Sequence, residues 1–135
     1  MGQADMVASD GRLKEAVLRY LDTVNRNDPE AMVQLYRADA LVEDPVGSGK
    51  LLRGHEEIRA FYENAFSTPL SVQLDAEPRG SFGDAAAYAF RVTRGAAILK
   101  VIGVLTFDDN NLIATMRAYY GPSDISIDSQ RVAAT

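Results

Sequence analysis

Residues 40–47 read Ala40-Leu41-Val42-Glu43-Asp44-Pro45-Val46-Gly47. The run is apolar to Val42, turns to two carboxylates, and stops at a proline, which has no N–H to give to a ladder. It predicts a short strand that ends in an acid. Side chains alternate between the two faces of a strand, so Glu43 and Asp44 point opposite ways and Asp44 shares its face with Val42. If Val42 faces a core, an ionisable carboxylate stands at the rim or floor of an apolar cavity. A group so placed is a candidate general base. The rest of the chain is read outward from Asp44, as the walls of that cavity.

Bulk properties narrow the choices. A chain of 135 residues makes one domain with one real core. Its 47% hydrophobic and 24% charged residues are those of an ordinary globular protein. The net charge of -5, with no basic run, argues against nucleic acid and anionic membrane as partners. There is no cysteine, hence no disulfide frame, thiol nucleophile or thiolate metal site. His55, the single histidine, leaves no histidine metal cluster, and neither metal nor cofactor is expected. No apolar run suits a membrane span and no signal peptide is visible, so a cytoplasmic protein is expected.

Residues 1–9 are small and polar and are expected to be frayed. From Asp10, Leu13, Ala16, Val17, Tyr20, Leu21 and Val24 recur at three- and four-residue steps, the apolar face of a helix. Asp28-Pro29-Glu30 starts a second helix with an N-cap acid and a proline at its first position, and Met32, Val33, Leu35 and Tyr36 form its buried side. Gly47 and Gly49 mark a loop. Gly54 opens a third helix, with Ile58, Phe61, Tyr62 and Phe66 on one face and Pro69 at its end. Strands follow at 70–75, 85–93, 96–107 and 112–120, with a hairpin turn at 108–111. Ala86, Tyr88, Phe90 and Val92 share a face of the second of these. The tail after Asp128 is expected to be loose. Three helices followed by antiparallel strands give an α+β class: a curved sheet folded over the helices as a single cone with an apolar pocket. In the strand 96–107, Ile98, Ile102 and Val104 are apolar on the face opposite Leu99, Val101, Gly103 and Leu105, interrupted by Lys100. A sheet with one wet face alternates more cleanly, so a second copy is expected over the back of the sheet, as a homodimer.

Four stretches carry a resemblance: Arg19-Tyr20-Leu21 with Asn27-Asp28-Pro29-Glu30-Ala31; Tyr36 with Val42-Glu43-Asp44-Pro45; Arg53-Gly54-His55-Glu56-Glu57-Ile58 with Ala60-Phe61-Tyr62; and Thr115-Met116-Arg117-Ala118-Tyr119-Tyr120. In this order and spacing, over roughly Leu13 to Ile127, the chain resembles the ketosteroid isomerase family, within the nuclear-transport-factor-2-like, SnoaL-like superfamily of cystatin-like cones. The resemblance implies a cofactor-free reaction on a small apolar substrate, a steroid or steroid-like enone. An aspartate moves a proton so that a double bond shifts into conjugation, while a tyrosine and a protonated aspartic acid hold the dienolate oxygen. Carried across by position, the base is Asp44 and the oxyanion tyrosine Tyr20. Tyr36 and Tyr62 match supporting tyrosines, and Phe90, Met116 and Tyr120 match positions lining the steroid pocket.

The match breaks at the second oxyanion acid. Its position is Gly103, and no Asp or Glu lies from Ala96 to Thr106. Loss of one such donor costs about 2.7–4 kcal/mol of transition-state stabilisation. The isomerase would then be slower on Tyr20 alone, or another donor such as Tyr88 would reach the oxygen, or the pocket, with extra room beside Gly103, would serve other chemistry. Each residue also has a plain reading. Asp44 is then a strand-end acid, Tyr20 a packed core tyrosine, and Glu43 a solvated edge charge. His55 is an exposed helix-start residue without chemistry. Lys100 is an edge or interface cation.

Two further functions compete with the isomerase. One is an epoxide hydrolase or cyclase acting on a polyketide or terpene, which resembles this chain in residues 43–47 and 120–124. That chemistry wants a second acid near Val72 to Leu74, where the chain offers only Asp75, off register. The other is a non-catalytic binder of a flat apolar ligand.

Overall fold

The structure is a computed structural model that describes residues 2–128. Three helices come first in the chain: α1 (Gln3–Asn25), α2 (Pro29–Val33) and, after two strands, α3 (Gly54–Ala65). The strands are β1 (Tyr36–Glu43), β2 (Leu51–Arg53), β3 (Ser71–Leu74), β4 (Ala85–Arg94), β5 (Ala97–Phe107), β6 (Ile113–Tyr119) and β7 (Ile125–Ile127), the last preceded by a 3₁₀ turn at Pro122–Asp124. One curved sheet runs β2-β1-β6-β5-β4-β3, with β7 paired to the start of β5. The β1–β6 pair is parallel and the others antiparallel, so the sheet is mixed, as an α+β cone requires.

The helices pack their apolar faces into the concave side. Val17, Met32, Val33 and Ile58 meet Val42, Leu105 and Ile113 there, all with almost no solvent contact. The Asp28 carboxylate accepts hydrogen bonds from the N–H groups of Glu30 and Ala31, so the N-cap read from the sequence is present. None of the helices among the described residues is long and apolar enough to cross a membrane.

Several expectations change. The first helix begins at Gln3 instead of Asp10: Gln3, Ala4, Met6 and Ala8 are good helix formers without a breaker, so the helix runs on past the core. The second helix stops at Val33, and Tyr36 is the first residue of β1, with a fully buried side chain. β2 and β7 have only three residues each, too short to leave a periodic signal. The third helix ends at Ala65, before Pro69 can act. His55 is half-buried, with its Nε2 2.8 Å from the carbonyl oxygen of Tyr36. Glu43 is no solvated charge. Its half-buried carboxylate accepts the Gly47 N–H at 3.1 Å and lies 3.9 Å from the Arg117 guanidinium. The expected loose tail falls outside the described residues.

The C-terminus of α1 is fastened to the edge strand by side chains that imitate a strand. The Asn25 amide donates to the Val72 carbonyl at 3.1 Å and accepts from the Val72 N–H at 2.7 Å. The Asn27 amide does the same with Leu70, at 2.8 and 2.9 Å. Asn27 has a φ of 53°, a left-handed conformation that asparagine tolerates better than most residues. These bonds cover the open edge of β3 and set Leu70 and Val72 in place. Replacing Asn27 by Ala removes the two short hydrogen bonds to Leu70, worth about 0.5–1.5 kcal/mol each, together with two longer ones, at 3.3 Å, to the Val24 and Asn25 carbonyls. We expect Asn27→Ala to lower unfolding stability by roughly 1–3 kcal/mol, read by urea titration. Asn27→Asp, which keeps only the acceptor, should fall between Ala and wild type.

Candidate active site

Strand β1 delivers Asp44 to the concave side. Val42, two residues earlier, is fully buried, and alternation carries Asp44 to the same face. The chain then reverses through Pro45–Gly49. Gly47 and Gly49 have φ of 88° and 81°, conformations that only glycine adopts without strain. The Ser48 hydroxyl donates to the Pro45 carbonyl at 2.7 Å, and the Val46 N–H donates to the Ala118 carbonyl at 2.9 Å, tying the loop to β6. The chain returns antiparallel in β2, with Glu43 opposite Leu51. One step further along that register, the Asp44 N–H donates to the Lys50 carbonyl at 3.4 Å. Lys50 therefore stands beside Asp44.

Asp44 forms part of the wall of a cavity of about 390 Å³, within the ~300–1,000 Å³ of small-molecule sites. Most of the wall is apolar: Val72 and Phe90, Leu99 and Val101, Met116 and Ala118. Tyr20, Tyr62 and Tyr120 line it too, and Lys50 and Arg94 are the two cations among the described lining residues. Asp44 is the single carboxylate among the described lining residues. Burial in this apolar setting raises its pKa to about 6, against the nearby charge of Lys50, which pulls it down. The Lys50 ammonium lies 5.0 Å from the Phe61 ring centroid, a cation–π contact that holds it over the cavity edge.

The tyrosines form a connected set. The Tyr36 and Tyr62 hydroxyls are 2.6 Å apart, and those of Tyr62 and Tyr20 are 3.3 Å apart. Burial raises the pKa of Tyr20, with hydrogen bonds from its tyrosine neighbours opposing that rise. Burial likewise pushes Tyr36, Tyr62 and Tyr88 well above the ordinary phenol range. At any physiological pH these groups are neutral hydrogen-bond donors. An ionisable base thus shares one mostly apolar cavity with a neutral donor. This arrangement can take a proton from carbon and stabilise the enolate oxygen that forms.

Of the residues named from the sequence, Asp44, Tyr20, Tyr62, Phe90, Met116 and Tyr120 line the cavity. Tyr36, Tyr88 and Gly103 do not; they lie behind it, in the core. The expected free room at Gly103 is filled by the Tyr88 ring. Asp75 is also away from the cavity, its carboxylate 2.6 Å from the Arg91 Nε. Lys50 and Arg94 escaped the sequence reading. Opposite charges flanking the five residues Pro45–Gly49 were a legible hairpin signal for Lys50; Arg94, at a strand end, left none.

Comparison with known proteins gives the family and the fold. Residues 17–116 match the model of the SnoaL-like domain family. A protein named Steroid Delta-isomerase from Nocardioides simplex is 40% identical over 119 residues, which cover 85% of this chain and 94% of that protein. Among solved structures, SalBIII, an epoxide hydrolase/cyclase-like enzyme with a role in pyran ring formation in the polyether salinomycin, superposes with a TM-score of 0.81. It shares 21% identity, over 87% of this chain and 96% of that one, so it speaks for the fold alone. The chain belongs to the SnoaL-like domain family, on its ketosteroid isomerase branch.

The raised pKa of Asp44 is also a statement about stability. The folded protein holds that proton more tightly than the unfolded chain, whose carboxyl titrates near 3.8. Stability from this group is complete below pH 3.8 and is lost as pH rises through about 6. Two pKa units correspond to about 3 kcal/mol, taken as an upper figure. Asp44→Asn, which cannot ionise, should therefore be more stable than wild type at pH 7.5 by up to about 3 kcal/mol. The difference should shrink to nothing near pH 4, as read from paired thermal or urea unfolding curves.

Proposed function

We propose that this protein is a cofactor-independent isomerase that shifts the double bond of a steroid-like enone into conjugation. Asp44 moves the proton and Tyr20 holds the dienolate oxygen. One observation carries the reading: among the described residues the cavity is lined by a single carboxylate, with a pKa raised to about 6, and by two members of a buried tyrosine network. The relative named for the same reaction adds to it.

In this mechanism a flat, largely apolar substrate fills the cavity with its carbonyl oxygen at Tyr20. Ionised Asp44 removes a proton from the carbon between the carbonyl and the alkene. The electrons move onto the oxygen, where the Tyr20 hydroxyl stabilises the charge. Asp44, now protonated, returns the same proton to the far end of the dienolate, and the double bond lies in conjugation with the carbonyl. Atoms and charge balance without a co-reactant. A base of pKa about 6 suits both halves: it is ionised at neutral pH, yet more basic than a solvated carboxylate near 3.9. Lys50 keeps it from rising further and failing to ionise.

The epoxide-opening alternative needs an acid and a base on opposite sides of the reacting atoms. Here Asp44 is the single acid among the described lining residues, and Asp75 is engaged by Arg91. A purely binding role would leave the cost of burying a carboxylate without a use. We also propose that two copies pair through the outer face of the sheet, where the cross-strand neighbours Ile102 and Tyr119 are 48% and 43% exposed. Sedimentation of wild type and of Ile102→Lys should show a dimer and its loss; a monomeric wild type would remove this part.

The enzymatic test is a continuous assay with a 5-ene-3-oxosteroid, following the conjugated enone by ultraviolet absorbance. Asp44→Asn should lose at least ~10²–10⁴ of the rate, the contribution of a general base. The wild-type kcat/KM should fall tenfold per pH unit below the Asp44 pKa of about 6 and be level above it, since only the ionised carboxylate accepts the proton. A flat profile, or turnover that survives Asp44→Asn, would reject Asp44 as the base.

A further inference from the structure

Tyr88 on β4 and Gly103 on β5 are direct cross-strand partners, so both face the same side of the sheet. The Tyr88 ring lies across the glycine. A Cβ at position 103 would fall 2.6 Å from the Tyr88 hydroxyl oxygen and 2.7 Å from its Cε2, with Cζ closer still. Real side chains do not approach so nearly, so any residue larger than glycine must displace the ring. Gly103 is not among the glycines with positive φ, and glycine inside a strand weakens it. The backbone therefore has no need of glycine here; the ring does.

The ring is also fixed from its other sides. It stacks on Phe90 at 5.1 Å and meets Tyr20 edge-on at 6.0 Å between centroids. Tyr88 is 2% exposed and stands behind the cavity wall that Tyr20 helps to form. A phenol hydroxyl offers one proton and two acceptor sites. The Tyr62 hydroxyl, itself bonded to that of Tyr36, is hydrogen-bonded to the Tyr20 hydroxyl. The Tyr88 ring stands edge-on to Tyr20, and its hydroxyl, like those of Tyr62 and Tyr36, pulls the Tyr20 pKa down against the rise from burial.

We propose that Tyr88, seated in the space that only a glycine at 103 leaves, is a positioning residue for Tyr20. Its hydroxyl fills the second acceptor site of Tyr20, so that the Tyr20 proton has one place to go, the cavity. Gly103 and Tyr88 act as a matched pair in which the glycine exists for the tyrosine. The same polarisation strengthens Tyr20 as a donor to a developing oxyanion and offsets part of what the absence of an acid at 103 costs. The inference deepens the proposed function and rests on Tyr20 being the oxyanion donor.

The test has two readouts. The first is turnover of the 5-ene-3-oxosteroid. The second needs no turnover: the ionised fraction of a bound naphtholic steroid, whose absorbance separates naphthol from naphtholate. Tyr88→Phe keeps the ring and removes the hydroxyl. We expect kcat to fall about tenfold, short of the ~10²–10³ that loss of a direct donor costs, with KM little changed. We expect the ionised fraction of the bound naphthol to drop in parallel. Gly103→Ala should do the same, because its methyl displaces the ring. An unchanged ionised fraction in Tyr88→Phe overturns the proposal whatever happens to turnover, and so does a Gly103→Ala protein that matches wild type in both readouts. If wild type binds the naphthol but never turns over the steroid, the isomerase reading fails while the ionised fraction still decides the role of Tyr88.

Discussion

The desolvation of one carboxylate organises this molecule. Asp44 sits in an apolar cavity whose walls raise its pKa to about 6. Keeping it ionised at neutral pH costs up to about 3 kcal/mol, a large part of a typical fold stability of ~5–15 kcal/mol. That cost demands a rigid surround. The surround is supplied by a sheet curved over three helices, by a glycine hairpin braced on β6, and by a core in which Val42, Ile58 and Leu105 have no solvent contact. Lys50 moderates the effect from the cavity edge: its charge keeps the carboxylate available without pairing it away.

The tyrosines supply the complementary half. They come from distant parts of the chain: Tyr20 from α1, Tyr36 from β1, Tyr62 from α3 and Tyr88 from β4. The hydroxyls of Tyr20, Tyr62 and Tyr36 join in the core and the Tyr88 ring packs against Tyr20, and burial keeps all four neutral and therefore donors. A buried hydroxyl without a partner is costly, so the network has to be complete to be tolerated. The hydroxyl chain runs from Tyr36 through Tyr62 to Tyr20, and the last two residues line the cavity.

One cone serves different chemistries among the relatives. The same architecture underlies a steroid isomerase 40% identical to this chain and an epoxide hydrolase/cyclase-like enzyme at 21% identity. Fold alone does not choose between them; the side chains at the cavity do. A cavity that combines one carboxylate with neutral phenols suits proton transfer at carbon, whereas opening an epoxide asks for a second acid that the described lining residues do not present.

The sequence by itself determined what is local. Apolar periodicity marked the helices and the long strands, Asp28-Pro29 marked a helix start, and Val42-Glu43-Asp44-Pro45 marked a strand ending in an inward acid. Each depends on spacing within a few residues, which is where periodicity and capping act. Short strands such as β2 and β7 left no such trace, because three residues do not make a period. The switch from helix to strand at Tyr36 was hidden as well, since an apolar residue suits either. What depends on distant partners was decided by the tertiary structure alone. The sheet register places Tyr88 over Gly103 and so turns an apparent vacancy into a packed contact. The return of β2 brings Lys50 to Asp44. Burial sets the Asp44 pKa, and burial is a property of the whole core, which no single stretch of residues contains.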